Sequence, residues 1–222
     1  YFGVEQPKLV EDVRTQVKDI EIRKTKGVAG SISLKMAWKI MQENNVVTIP
    51  SVREDGVLEG LITVGDITKT YMNIYDSSIL SKANTQYSNI IETLEADLIV
   101  GDENAYFDRG KVLVAAANPD LMEFYIEPHD LVILGNRYES QLCAIEMGAD
   151  CIIVCEGAGV SRTIKKIAQD RGTTVIATTY DTYTVARLIN QSMPISYFMT
   201  REHLITFDSD DYIDEIKEVM AS

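Results

Sequence analysis

Histidine, cysteine and basic residues are all sparse in this sequence, and each shortage removes a class of function. Only two histidines occur among 222 residues. His129 and His203 stand in neither a ligand-like nor a triad-like setting, so both read as ordinary surface or strand-end residues. With no Ser/His/Asp order, no paired acids in a glycine-marked cleft and no plausible metal cluster, nothing in the chain looks catalytic. The three cysteines, Cys143, Cys151 and Cys155, are an odd number set in apolar periodic sequence, as expected of reduced core thiols in a cytoplasmic protein. Cys151 and Cys155 fall on one predicted strand, where a spacing of four puts them on one face but about 13 Å apart, too far to share an ion. No apolar run approaches the roughly 18 residues of a membrane span. The opening residues Tyr1 to Pro7 have neither the basic flank nor the apolar core of a secretory signal. Basic residues number 21 against 34 acidic ones, a net charge of −13. That field repels phosphate backbones, and with no local basic patch to override it a nucleic-acid partner is not expected.

The chain does have the makings of a globular protein. At 45% hydrophobic and 25% charged, it can bury one large core or two modest ones. Its most informative stretch runs from Val46 to Lys69. An apolar run, Val46 to Val52, is followed by the turn Arg53-Glu54-Asp55-Gly56 and a second apolar run, Leu58 to Val64, which together predict a β-hairpin. A helix should open near Asp66, so that Thr63 and Asp66 project from a strand end and a helix start. An Asp placed there can accept hydrogen bonds from two ribose hydroxyls, while helix N–H groups favour a phosphate. The plainer alternative is that Asp66 only caps the helix and Thr63 only fills the strand end.

Sliding the chain against itself without gaps places Ile20 on Met199, Val28 on Phe207, Leu34 on Ile213, Ile40 on Val219 and Met41 on Met220. Each copy gives an apolar start, a strand and an amphipathic helix, over Leu34 to Glu43 and Tyr212 to Met220. Between the copies the rhythm changes. Asn84 to Glu95 reads as a helix, and Asp97 to Val100 and Lys111 to Ala116 as strands around the turn Asp108-Arg109-Gly110. Strand Asp130–Leu134, helix Tyr138–Met147, strand Cys151–Val154, helix Ser161–Asp170, strand Thr174–Ala177 and helix Thr182–Asn190 follow. That alternation predicts right-handed crossovers onto a parallel sheet, an α/β domain of its own.

Other motifs carry less. Glu156-Gly157-Ala158-Gly159-Val160-Ser161 fits neither a Walker loop nor a dinucleotide fingerprint, and it is read as a turn with Ser161 as helix cap. Lys35 sits in the first turn of a helix, where a cation opposes the dipole, so a nearby anion would account for it. Trp38 and Met41 on the same helix read as core. Asp208, Asp210 and Asp211 read as a solvated cap at the start of the second-copy helix.

The run from Val46 to Asp66 resembles the second half of a CBS domain, and Val17 to Ile20 and Ser196 to Thr200 stand where CBS repeats begin. The block from Leu131 to Gly157, continued by Asp170 to Ile189, resembles a DRTGG domain, its naming motif answered by Gly135-Asn136-Arg137-Tyr138-Glu139-Ser140. There Asn136 replaces the usual Asp and the glycines are absent. The resemblance implies an α/β fold class: α+β CBS repeats at 8–75 and 195–222, the second incomplete, flanking an α/β DRTGG insertion at 76–194. Because the second copy stops after its first helix, the parent protein is expected to continue.

A CBS–DRTGG–CBS order is similar to the regulatory insert of nucleotide-regulated bacterial family II inorganic pyrophosphatases. That similarity implies a regulatory, non-catalytic region in which AMP and ADP inhibit and ATP or diadenosine polyphosphates activate. It implies nucleotide contacts at Ser33, Lys35, Val46, Thr48, Thr63, Asp66, Met199 and Thr200. It also implies homodimerisation, and manganese or cobalt only in a catalytic domain of which this chain contains nothing. The alternatives are a purely structural dimerisation insert and a sensor of another adenosine compound such as S-adenosylmethionine.

Overall fold

The computed structural model describes residues 13–22, 24–73, 76–115 and 117–221. The expected boundary at residue 8, the strand end at Ala116 and the terminal Ser222 lie outside them. The chain divides into a larger unit, 26–201, and a smaller one made of 1–25 with 202–222.

In the larger unit, Ser33 opens helix α1 (Leu34–Asn44) by accepting the Met36 N–H at 3.0 Å, and Asn45 closes it in the left-handed conformation. Leu34, Ala37 and Met41 bury one face of α1, whereas Trp38 is 41% exposed. Trp38 is therefore not the core residue its spacing suggested, since it falls on the flank of the buried stripe. Strands β1 (Thr48–Val52) and β2 (Leu58–Thr63) form the expected antiparallel hairpin. Its turn is closed by Gly56 N–H on Arg53 O at 2.9 Å, with Gly56 at φ +81°, a conformation L side chains disfavour. The register shifts after Ser51: Ser51 pairs with Gly60 and Val52 with Leu58, so Glu59 is bulged. Helix α2 (Val64–Met72) begins two residues before Asp66, because Thr63 is its cap.

The hairpin is extended on both sides by single bridges. Val28 pairs in parallel with Ser51, and Thr200 pairs antiparallel with Leu61 through two 2.9 Å hydrogen bonds. The start of the second copy thus touches β2 of the first at Thr200, while the strand expected around Phe207 does not form among the described residues. Gly60 permits this approach: a Cβ there would stand 2.8 Å from both Thr200 O and Met199 Sδ.

The insertion follows as α3 (Ile79–Lys82), β3 (Thr85–Gln86), α4 (Tyr87–Thr93), β4 (Asp97–Val100), β5 (Tyr106–Phe107), β6 (Val112–Val114), α5 (Pro119–Met122), β7 (Leu131–Leu134), α6 (Tyr138–Glu146), β8 (Cys151–Val154), α7 (Arg162–Arg171), β9 (Thr174–Ala177) and α8 (Thr182–Leu188). The sheet order is β4-β9-β8-β7-β6. Strands β6 to β9 run parallel as expected, but β4 joins antiparallel at the edge. The helix expected from Asn84 starts only at Tyr87, because Thr85 and Gln86 pair instead with Phe107 and Tyr106. Ser161 caps α7 on the Ile164 N–H and Asp181 caps α8 on the Thr184 N–H. His129 sits at a strand entry, 3.1 Å from the Asp150 carboxylate.

Strands β7 and β8 are buried on both faces, and alternate residues feed two different cores. Val132, Leu134, Ile152 and Val154 pack with Ile145, Ile164 and Ala168. Leu131, Ile133, Cys151 and Ile153 belong to the cluster that also holds Leu34, Met41, Ile49, Ile62, Ile90 and Met193. The first CBS repeat and the insertion therefore share one core. Cys151 and Cys155 lie in it, and burial first, then the neighbouring carboxylates, raises both thiols, Cys155 up to about 12.

In the smaller unit, Ile213–Ala221 forms helix α9. The Gln16–Tyr212 bridge and the ion pairs Arg14–Glu215 and Lys18–Asp210 join its two segments. Asp211 accepts the Asp208 N–H at 2.7 Å, a local turn.

Gly60→Ala should force β2 away from Thr200 and lower stability by about 1–3 kcal/mol, the range for overpacking. Urea unfolding tests it, and an unchanged midpoint would mean the Thr200 edge is not held.

Candidate functional site

The strand–helix junction at the end of β2 is built by local chemistry. Thr63 has extended backbone, and its Oγ1 accepts the Asp66 N–H at 3.1 Å. Asp66 Oδ2 accepts from Thr63 N–H at 3.0 Å and lies 2.7 Å from Thr63 Oγ1, completing a capping box. The Asp66 side chain is 17% exposed, and Lys69 Nζ is 3.9 Å from Oδ1. Thr63 is therefore the cap and Asp66 its capping-box partner, where the plainer reading had Asp66 as the cap and Thr63 only filling the strand end; Oδ1 remains the less engaged carboxylate oxygen. Two acceptor lone pairs per oxygen leave it able to receive ribose hydroxyls.

Several of the expected contact residues gather around this junction. Thr48 pairs directly with Thr63 across the hairpin. Val46 follows the end of α1, its N–H on Met41 O at 2.9 Å, and the adjacent Val47 carbonyl accepts the Val64 N–H at 2.9 Å. Thr200 sits opposite Leu61, two residues from Thr63, or about 7 Å along the strand. Met199 is 7% exposed and lies against Gly60.

Ser33 and Lys35 do not join this group. They stand at the start of α1, whose 11 residues separate them from Val46 by about 16 Å along the axis. Ser33 is buried and its hydroxyl is engaged in capping. Lys35 Nζ donates to Thr93 O at 2.8 Å and lies 3.4 Å from Glu95 Oε1. The negative end of α4 thus accounts for a cation at a helix start. The neighbouring carbonyl, Leu94 O, accepts from Thr178 Oγ1 at 2.8 Å, so the end of α4 is held from both α1 and the insertion sheet.

Sequence reading did not single out Glu59 or Arg201. Arg201 Nη1 meets Glu59 Oε1 at 3.2 Å, and its Nη2 donates to Ser196 O at 3.2 Å. The only signal in the sequence was a charged residue interrupting the apolar run of β2, which the bulge explains.

Domain models match this architecture: a CBS domain at residues 17–73 and a DRTGG domain at residues 89–192. The fold and its strand–helix junction thus define a CBS module fused to a DRTGG insert. The chain is similar to the crystal structure of the CBS and DRTGG domains of the regulatory region of Clostridium perfringens pyrophosphatase, complexed with the activator diadenosine tetraphosphate. The TM-score is 0.89 at 37% identity, covering 94% of this chain and 91% of that one. It belongs to this family of CBS–DRTGG regulatory regions. Among longer proteins it is 38% identical over 221 residues to a cobalt-dependent inorganic pyrophosphatase of Clostridium perfringens. It is 25% identical over 220 residues to a probable manganese-dependent inorganic pyrophosphatase of Thermotoga maritima. The chain spans 40% of the length of each. Among the described residues, no helix is long and apolar enough to cross a membrane.

Lys35→Met should lower stability in the absence of any nucleotide by about 1 kcal/mol, the charge-assisted hydrogen bond discounted for a side chain 35% exposed. Thermal unfolding reads this. Unchanged nucleotide-free stability, with weaker AMP but unaltered adenosine binding, would instead assign Lys35 to phosphate.

Proposed function

We propose that this chain is the adenine-nucleotide-binding regulatory region of an inorganic pyrophosphatase, with AMP and ADP inhibitory and ATP or diadenosine polyphosphates activating. The observation that carries the reading is the Thr63–Asp66 junction: a partly exposed carboxylate, fixed by its own capping box, at the end of a hairpin strand edged by Thr200. The diadenosine tetraphosphate bound by the similar Clostridium region supports an adenosine ligand carrying phosphates, and so favours this reading over S-adenosylmethionine.

The ribose of the nucleotide sits against Asp66, with its base among Val46, Thr48, Met199 and Thr200. The ends of the capping box cannot move independently, so a ribose gripping Asp66 also fixes the start of α2. Ser33 and Lys35 lie at the far end of α1, and a phosphate reaches Lys35 only if the ammonium leaves Thr93 O. In the parent enzyme the cation-dependent hydrolysis, with manganese or cobalt, belongs to a separate catalytic domain. The nucleotide acts on it by binding one arrangement of this region better than another. The region works as a homodimer in the cytoplasm, without nucleic acid or membrane.

Asp66→Ala should weaken AMP by about 1.5–3 kcal/mol, the loss of hydrogen bonds to a charged group, in a protein whose circular dichroism shows it folded. AMP affinity equal to wild type by calorimetry would sink the assignment.

In a dimer, one diadenosine tetraphosphate should span two related sites while two AMP molecules fill them, its affinity advantage coming from effective concentration. Sedimentation and calorimetric stoichiometry check this. One ligand of either kind per chain, or a monomer at micromolar concentration, would leave only independent sites.

A further inference from the structure

A cleft of about 330 Å³ opens in the larger unit at the far end of the hairpin from Asp66, between the Gly30–Ser31 loop, Glu59 and Arg201 on one side and Asn84, Asn89 and Tyr106 on the other. Glu59 and Thr63 are four residues apart on β2, about 13 Å, so the two places are separate. The cleft owes its acid to the bulge at Ser51/Val52, which re-aims Glu59 out of the strand's alternation. Its carboxylate lies 3.4 Å from the hydroxyl of the fully buried Ser51, and so close to Gly30 that a Cβ there would stand 3.0 Å away.

The chemistry of the lining narrows the occupant. The cleft's one arginine and one glutamate are paired at 3.2 Å, so it has no excess charge to attract a phosphate. Two of its amides each commit one donor to the backbone: Asn89 Nδ2 to Ser31 O at 2.9 Å and Gln86 Nε2 to Asn104 O at 3.1 Å. Both partners are carbonyls, which fixes the amide orientation and leaves Asn89 Oδ1 and Gln86 Oε1 as acceptors. Amide acceptors in the lining suit an exocyclic amino group on a base, and the half-exposed Tyr106, 48% accessible, supplies an aromatic ring on which a base can stack. Glu59, with lone pairs beyond those used by Arg201 and Ser51, suits a pair of ribose hydroxyls. The volume is at the small end for ligand sites, the size of one nucleoside and not of a nucleotide with its phosphate chain.

We infer that this cleft is a second ligand site, taking an uncharged amino-purine nucleoside through Glu59, Asn89, Gln86 and Tyr106. It stands independently of the Asp66 assignment. Because its walls come from different parts of the chain, the first repeat with the start of the second on one side and the insertion on the other, an occupant bridges them.

Calorimetry with adenosine as the probe tests this in the full chain carrying Asp66→Ala. Adenosine should still bind, and adding Tyr106→Ala should weaken it at least tenfold. No binding in the Asp66→Ala protein, or no effect of Tyr106→Ala, overturns the second site. Since either variant could perturb folding, wild-type protein provides a second measurement by nuclear magnetic resonance. The side-chain amide signals of Asn84, Gln86 and Asn89 should shift on adding adenosine and stay in place with inorganic phosphate. Signals unmoved by adenosine, or moved equally by phosphate, refute the proposal. Failure of the Asp66 assignment has its own readout, an AMP affinity unaffected by Asp66→Ala.

Discussion

The larger unit depends on one apolar layer that two apparent domains share. Strands β7, β8 and β9 present one set of alternate side chains to their own helices and the other set to the cluster that includes α1, the β1–β2 hairpin and α4. Neither the CBS repeat nor the insertion keeps a sealed core without the other, since Leu131, Ile133 and Ile153 are buried in one cluster with Leu34, Ile49 and Ile62. Each such side chain contributes about 1.5–3 kcal/mol by leaving water, so separating the two parts would expose several at once.

Polar contacts fix the geometry that the apolar layer only brings together. The end of α4 offers two carbonyls, one taken by Lys35 from the CBS side and one by Thr178 from the insertion sheet. Asn89 adds a bond to Ser31 O from the same helix. A short helix of seven residues thereby becomes the joint between the two parts. A ligand that alters the hairpin or α1 therefore acts on a structure whose connection to the insertion is specific in direction, because hydrogen bonds, unlike apolar contacts, demand a particular geometry. The Thr63–Asp66 capping box plays the same part at the other end of the hairpin, where it fixes the start of α2.

Much of this was legible in the sequence. The strands Asp97–Val100, Cys151–Val154 and Thr174–Ala177 lie where apolar runs and glycine punctuation placed them, and Ser161 caps its helix as its spacing suggested. Errors fell where a distant segment overrode local preference. Thr85 and Gln86 read as helix but pair with β5, and β4 reads like any strand of a parallel set but enters antiparallel, because nothing in a short apolar run encodes its direction. Trp38 followed helical spacing to the wrong side of the buried stripe.

For the site the division is sharper. That Thr63 and Asp66 meet at the start of α2 was readable because a capping box is a contact between residues three apart, and sequence spacing alone sets their distance. The hairpin around them was readable for the same reason, its turn and alternation being local. Whether Lys35 faces a phosphate or the carbonyl end of another helix, and that a bulge turns Glu59 toward Arg201, depended on partners 58 and 142 positions away along the chain. Local sequence determines which atoms a residue can offer. Only the folded chain, by bringing distant segments within hydrogen-bond reach, decides which of them are taken and which are left for a ligand.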